Sequence, residues 1–240
     1  GKIKVGLTED EIDFLGKEGL SVQKVSRRDL PIILASKTPG STTVATTMIG
    51  ASLAGIKVFA TGGIGGIHRG AENTMDISAD LEELGKTDVV VVCAGAKAIL
   101  DLQLTLEYLE TKGVPVVGYK TDKLPAFYSR TSKYKVDKKV DSADEMSRIM
   151  KAKYSLDLKG GIIVANPIPE EYSFDFEEMD KIIIKAIAEA DEKGIRGKDT
   201  TPFLLDKIKT LTKGKSLESN IQLVYNNAKL ASQIAIEYVK

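Results

Sequence analysis

The sequence predicts an α/β fold: a central, mostly parallel sheet flanked by helices on both faces (α/β/α), in a single domain spanning residues 1–240. Three observations carry this expectation. Short β-branched apolar runs recur in "KVFATGG", "DVVVVCAGAK" and "GGIIVANPIPEE", each ending in a glycine or proline loop. A helical pattern follows each loop. The runs are apolar without alternation, as strands covered on both faces should be. With 42% apolar residues the chain can bury a sizeable core, and no repeat, low-complexity tract or linker divides it.

The elements follow in order. "STTVATTMIGASLAG" reads as a helix leading into the strand of "KVFATGG". After the loop "TGGIGGIHRG", the segment "SADLEELGKTD" reads as a helix with Ser78 as its N-cap. "DVVVVCAGAK" is a buried strand, and Lys97 at its end opens the amphipathic helix "AILDLQLTLEYLETKG", closed by Gly113. "VPVVGYK" and "GGIIVA" are further strands, and a helix runs from about Asp175 to Lys193. "TPFLLDKIKTLTKG" and "SLESNIQLVYNNAKLASQIAIEYVK" read as amphipathic helices, packed within the subunit or against another. Near the start, "IILA" after "KVSRRDLP" looks strand-like. In open α/β sheets ligands bind beyond the carboxyl ends of the strands. The loops "TGGIGGIHRG", "AGAK" and "NPIPEE" are therefore expected at one edge.

Charge and composition exclude several function classes. Lys plus Arg and Asp plus Glu both number 34, so no global field recruits nucleic acid or an anionic membrane. No apolar run approaches the roughly 20 residues of a membrane span. The single cysteine, Cys93, forbids an internal disulfide and reads as a buried strand residue, which suits a reducing cytoplasm. No signal peptide is visible, and a start at Gly1 rather than methionine leaves a removed leader open.

Chemistry concentrates between Gly62 and Lys97. Gly62, Gly63, Gly65 and Gly66 permit positive φ and close backbone approach, so their N–H groups can face an anion, or they form a tight turn without a ligand. Counting from Gly63, His68 stands where a dinucleotide fingerprint needs its last glycine, and a Walker motif is absent. Asp76 and Asp80 can serve a hard divalent cation that keeps most of its water, or can complement a helix start. His68, the lone histidine, reads first as a hydrogen-bonded structural residue, and no His/Cys cluster exists for zinc. Lys97, after an apolar strand and at a helix start, has two reasons for a depressed pKa and suits an imine-forming nucleophile; a solvated first-turn lysine is the alternative. Lys24, Arg27 and Arg28 form either an anion clamp or a basic surface turn. Asn220 reads as a helix-start residue.

Taken together, "KVGLTEDEI", "KVSRRDLP", "TTVATTMIGASLAGIKVFATGGIGGIHRGAENTMDISADL", "VVCAGAKAILDLQLTLEYLET", "GVPVVGYKTDKLPAFYSRTS", "GGIIVANPIPEE" and "SLESNIQLVYNNAKLASQIA" resemble the pseudouridine-5′-phosphate glycosidase family over nearly the whole chain. The resemblance implies an enzyme of α/β/α fold, usually a homotrimer. Such an enzyme reversibly splits the C–C glycosidic bond of pseudouridine 5′-phosphate into uracil and ribose 5-phosphate, with a divalent metal, typically Mn²⁺, or another such as Mg²⁺. It implies Lys97 as the Schiff-base nucleophile and Asp76 as metal ligand. Lys24, Val44, Ser78, Ala79, Asp80 and Asn220 become substrate contacts, and the glycine loop lies against a sugar phosphate. Family members also carry an N-terminal segment with an "ALEST"-like motif whose glutamate donates a proton. The present sequence lacks that motif, which leaves its general acid unassigned. Two rivals remain: a non-catalytic or fragmentary sugar-phosphate-binding protein, and a class I aldolase-like lyase using Lys97 on another phosphorylated sugar.

Overall fold

A computed structural model of the chain describes residues 1–195 and 200–240. Its elements in chain order are α1 (Glu9–Glu18), β1 (Gln23–Val25), α2 (Leu30–Ser36), β2 (Gly40–Thr42), α3 (Val44–Leu53), β3 (Val58–Ala60), β4 (Ile67–His68), α4 (Ala71–Thr74), α5 (Ala79–Leu84) and β5 (Val90–Cys93). There follow β6 (Leu100–Asp101), α6 (Leu102–Thr111), β7 (Val116–Tyr119), β8 (Lys138–Val140), α7 (Ala143–Ser155), β9 (Ile162–Ala165), α8 (Phe176–Glu192), α9 (Thr200–Leu211) and α10 (Lys215–Val239).

Five strands form one sheet in the order β3-β5-β9-β7-β8, and every pairing in it is parallel. The continuous apolar runs are explained by the two faces they serve. Val91 and Cys93 point to one side, where Met48, Leu81, Leu84, Leu109 and Met179 bring in α3, α5, α6 and α8. Val90 and Val92 point to the other, where Met146 and Met150 of α7 and Leu230 and Ile234 of α10 cover them. Each such buried side chain contributes about 1.5–3 kcal/mol. A strand that alternated polar and apolar would leave one of these layers without a partner. Among the described residues no helix is long and apolar enough to cross a membrane.

Local signals account for the helix ends. Ser78 caps α5, its Oγ accepting from the Asp80 N–H, and Asp175 caps α8 by accepting from the N–H groups of Glu177 and Glu178. Gly113, with φ +67°, closes α6, and the Val114 N–H reaches back to the Leu109 carbonyl. Three expectations change. "IILA" lies in α2 rather than in a strand, because Pro31 sits in its first turn and Lys37 ends it in the left-handed region. Lys97 does not open a helix: α6 starts at Leu102 with Asp101 as its cap, after the short antiparallel ribbon β4–β6. Asn220 lies in the second turn of α10, which begins at Lys215.

The C-terminal helix is fastened to the sheet edge by amides. Asn227, fully buried, donates from Nδ2 to the Thr61 carbonyl at 2.8 Å and accepts on Oδ1 from Asn166 Nδ2 at 3.0 Å. Asn226 donates to the Pro167 carbonyl at 3.0 Å. The loops after β3 and β9 are thus tied to α10. Asn227→Ala strands both the Thr61 carbonyl and the Asn166 amide in the interior, and is expected to cost about 2–3 kcal/mol of unfolding free energy in urea titration.

Candidate active site

The loops after β3, β5 and β9 converge at the carboxyl edge of the sheet, as expected. Beyond the strands, pairing continues between the glycine loop and the turn carrying Lys97. Ala94 N–H donates to the Gly62 carbonyl at 2.9 Å, Ile64 N–H to Gly95 at 3.1 Å, and Lys97 N–H to Ile64 at 3.1 Å. These bonds fix the root of the lysine, while the ribbon β4–β6 closes the far side by pairing His68 with Leu100.

The side chains follow from this frame. Lys97 is half-buried, and burial is the main force pushing its pKa below the ordinary lysine range. Lys24, on the small parallel sheet β1–β2, adds to the depression, and Asp80 opposes it. Desolvation therefore carries the effect, not the helix start anticipated from sequence. His68 is pushed down first by burial, held up by Asp76, and pushed down again by Lys97 and Lys24. Lys24, His68, Asp76, Asp80 and Lys97 thus act on one another within one site, and a depressed His68 is neutral at pH 7.

Asp80 is buried, and both its oxygens are engaged. Oδ1 accepts from the Ala45 N–H and Oδ2 from the Gly65 N–H, each at 2.9 Å. The first bond satisfies an N–H that α3 cannot satisfy itself, so Asp80 caps α3 from outside. Thr43 and Thr46 complete that helix start by a reciprocal capping box. Val44, the first residue of α3, is half-buried; its N–H has no acceptor within the helix and lies where an anion is favoured. Asn220 is half-buried on α10, with Oδ1 3.2 Å from the point a Cβ on Gly62 would occupy. Ala79 is exposed as the first residue of α5, and Ser78 is half-buried beside Gly65.

The glycine loop departs from expectation. None of Gly62, Gly63, Gly65 and Gly66 has a positive φ. Close approach alone requires them, and what approaches is the chain itself. A Cβ on Gly65 would collide with Ser78 Oγ and lie 2.6 Å from Asp80 Oδ2. One on Gly66 would lie 2.5 Å from Thr105 Oγ1, and one on Gly63 2.6 Å from the Phe127 ring. On the side where a Cβ would stand, the loop is packed by Ser78, Asp80, Thr105 and Phe127. Arg27 is likewise no anion clamp: it grips buried Glu83 by two bonds, Nε–Oε2 at 2.5 Å and one from its terminal nitrogen to Oε1 at 2.8 Å. Arg28 is exposed and lies nearest Asp29. Cys93 is buried, its thiol pushed up to about 12 by desolvation.

Asp76 does not cap a helix. It lies on an extended stretch after left-handed Met75, its carbonyl accepting from the His68 N–H at 3.0 Å. Its carboxylate is half-exposed, with Oδ2 3.9 Å from His68 Nδ1. No group of three or more His, Cys, Asp or Glu side chains is gathered for a metal among the described residues. One accessible carboxylate fits a hard cation that keeps most of its water, and does not fit a closed protein cage.

Comparison with known proteins gives the family and the fold. Residues 1–237 match the model of the indigoidine synthase A-like proteins. A Clostridium botulinum protein named pseudouridine-5′-phosphate glycosidase is 65% identical over 240 residues, 100% of this chain and 78% of its own. The chain belongs to this family. The same name is carried by an Escherichia coli relative, 60% identical over 99% of this chain and 76% of its own. The crystal structure of the prealnumycin C-glycosynthase in complex with ribulose 5-phosphate superposes with a TM-score of 0.90, at 38% identity over 98% of this chain and 77% of that one. An indigoidine synthase A-like protein from Thermotoga maritima also reaches 0.90, at 36% identity over 98% of this chain and 77% of that one.

Sequence reasoning left His68 outside the family site and missed Thr105, Phe127, Asn166 and Asn227. Only Asn166, directly after a buried strand, carried a local signal.

Gly65→Ala would drive Asp80 off two backbone donors at once. It is expected to lower stability by about 2 kcal/mol or more in denaturant titration. Because the Lys97 pKa is depressed, its reactivity toward an amine-directed reagent should rise with pH and reach half-maximum below the roughly 10.4 of an ordinary lysine. Mass spectrometry of the "CAGAK" peptide reads the midpoint.

Proposed function

We infer that the chain reversibly cleaves the C–C glycosidic bond of pseudouridine 5′-phosphate to uracil and ribose 5-phosphate, with Lys97 as the imine-forming nucleophile. The observation that carries this reading is Lys97 itself: an amine with a depressed pKa, rooted on a clamped turn at the sheet edge and opposed by Asp80. The relatives' names and a structural neighbour that holds a sugar phosphate support it.

Cleaving a carbon–carbon bond cannot rely on protonating a leaving oxygen, as ordinary glycosidases do. The neutral Lys97 nitrogen bonds to the anomeric carbon as the ring carbon–oxygen bond breaks, and its proton passes to the departing ring oxygen. The nitrogen lone pair then forms a carbon–nitrogen double bond as the bond to the base breaks; carbon 5 of uracil takes up a proton from water, and the nitrogen gives its remaining proton back to the hydroxide so formed. Water hydrolyses the resulting imine, returning Lys97 and releasing ribose 5-phosphate. Asp80 faces the positive charge that develops on the nitrogen, and its two N–H bonds hold it there without reorganisation. Lys24 and the Val44 N–H at the start of α3 are placed to take the phosphate. Ser78 and Asn220, each beside the glycine loop, and Ala79 next to Ser78 are assigned to substrate contacts. Asp76 would hold Mn²⁺ or Mg²⁺, which when bound orders water and offsets the substrate's negative charge. A cytoplasmic homotrimer is the form this reading implies, checked by light-scattering mass.

Borohydride added during turnover with ribose 5-phosphate should trap a pentose-phosphate adduct on the "CAGAK" peptide. Lys97→Arg should keep the charge and lower kcat by about 1,000-fold or more, since a guanidinium stays protonated. Wild-type turnover without an adduct would rule the imine out. An adduct without joining of uracil to the sugar in reverse would indicate an aldolase-like lyase. Asp76→Ala is expected to abolish metal-stimulated turnover with an unchanged circular dichroism spectrum. Full activity after exhaustive chelation would remove the metal. Pseudouridine without its phosphate should lose about tenfold or more in kcat/KM, the worth of a charged hydrogen bond.

A further inference from the structure

We propose that Phe127 is a positioning residue for Lys97, a wedge that fixes the turn on which the lysine is carried. The proposal rests on the imine reading of Lys97 given above. Phe127 is 3% exposed, yet its backbone adopts φ +61°, a left-handed conformation that is an outlier for a bulky residue. The surrounding structure enforces it from two sides. Its N–H donates to the Ala94 carbonyl at 2.9 Å, directly ahead of the lysine turn. Its ring lies 2.6 and 2.7 Å from the point a Cβ on Gly63 would occupy, and the Gly95 carbonyl oxygen lies 3.0 Å from the same point. The ring therefore sits against the glycine loop, while the Phe127 backbone is bonded to the turn of residues 94–97. Gly95, at φ +88°, is itself packed onto the Pro125 carbonyl so closely that a Cβ would collide with it.

The wedge is backed in turn. Tyr128 meets Phe127 edge-on, with ring centroids 4.7 Å apart, and Phe174 meets Tyr128 at 6.2 Å. The Phe174 N–H donates to the Tyr128 carbonyl at 2.8 Å, and the Ala126 N–H to Ser129 at 2.9 Å. Phe127 thus holds the two segments whose hydrogen bonds root Lys97, one with its ring and the other with its backbone N–H. A misplacement of about an ångström at the reacting atom suffices to cost about 100-fold in rate. Removing the ring leaves Lys24 and the start of α3 untouched, so binding and chemistry should separate.

The test uses the full chain with pseudouridine 5′-phosphate and, for trapping, ribose 5-phosphate with borohydride. Phe127→Ala is expected to lower kcat by about 10- to 100-fold with KM within about threefold, and to move the pH midpoint of adduct formation upward as water reaches the amine. Phe127→Leu, which keeps apolar bulk, should recover most of the rate, and it stands in should Phe127→Ala fail to fold. Gly63→Ala places a methyl group against the ring and should reproduce the loss; added to Phe127→Ala it should cost little more, because the two changes act through one contact. Wild-type kcat and midpoint in Phe127→Ala, or losses in the double variant that simply multiply, overturn the proposal while the wild-type adduct keeps the imine reading intact. Absence of any wild-type adduct overturns both.

Discussion

The site depends on one carboxylate. Asp80 leaves the first turn of α5 and accepts one hydrogen bond from the glycine loop and one from the start of α3. A buried charge is tolerated when polar partners replace its water, and here the backbone supplies them. In exchange three segments far apart in sequence are held in one register: residues 43–46, the loop around Gly65, and the helix start at Ser78. The same carboxylate then faces Lys97 across the site. A single side chain couples architecture to electrostatics, and with Ser78 it leaves no room for a Cβ at Gly65.

Burial and Asp80 pull the Lys97 pKa in opposite directions, and burial prevails. The outcome is an amine that sheds its proton more readily than a surface lysine, with an anion close enough to oppose that loss. Such a pair performs best when neither partner moves. The lysine turn is bonded to the glycine loop, the loop to Asp80 and Thr105, and Thr105 to both the Ile67 N–H and the Asp101 carbonyl. On the other side α10 grips the carboxyl ends of β3 and β9 through Asn227 and Asn166. The rigid part of the molecule thus reaches to the edge of the reacting groups, while Asp76 and Lys24 lie in more open positions.

Much of this was legible in the residues. Unbroken apolar runs announced strands covered on both faces, since alternation would be required of a strand wetted on one. Ser78, Asp175 and Gly113 marked helix ends because caps act through the backbone of their own segment. Motif resemblance named Lys97, Asp76, Asp80 and Lys24, and the fold brings these four to one place. Other features resisted. The glycines were read as an anion cradle or a tight turn, because sequence records a missing side chain but not what fills the space. Lys97 was placed on a helix, since the two-residue ribbon β4–β6 is too short to leave a periodic signal.

The sequence alone therefore determined the class of the fold and its principal helix ends, which follow from local propensity and periodicity, while motif resemblance supplied the candidate reactive groups. Tertiary structure decided the strand order β3-β5-β9-β7-β8, the insertion of β9 between strands that precede it in the chain, and the filling of the glycine loop by Ser78, Asp80, Thr105 and Phe127. It also decided which of the two causes read from the sequence depresses Lys97: desolvation, since no helix starts there. Each of these is a distance between residues far apart in the chain. No local pattern encodes such a distance; it is set only when both faces of the sheet are packed at once.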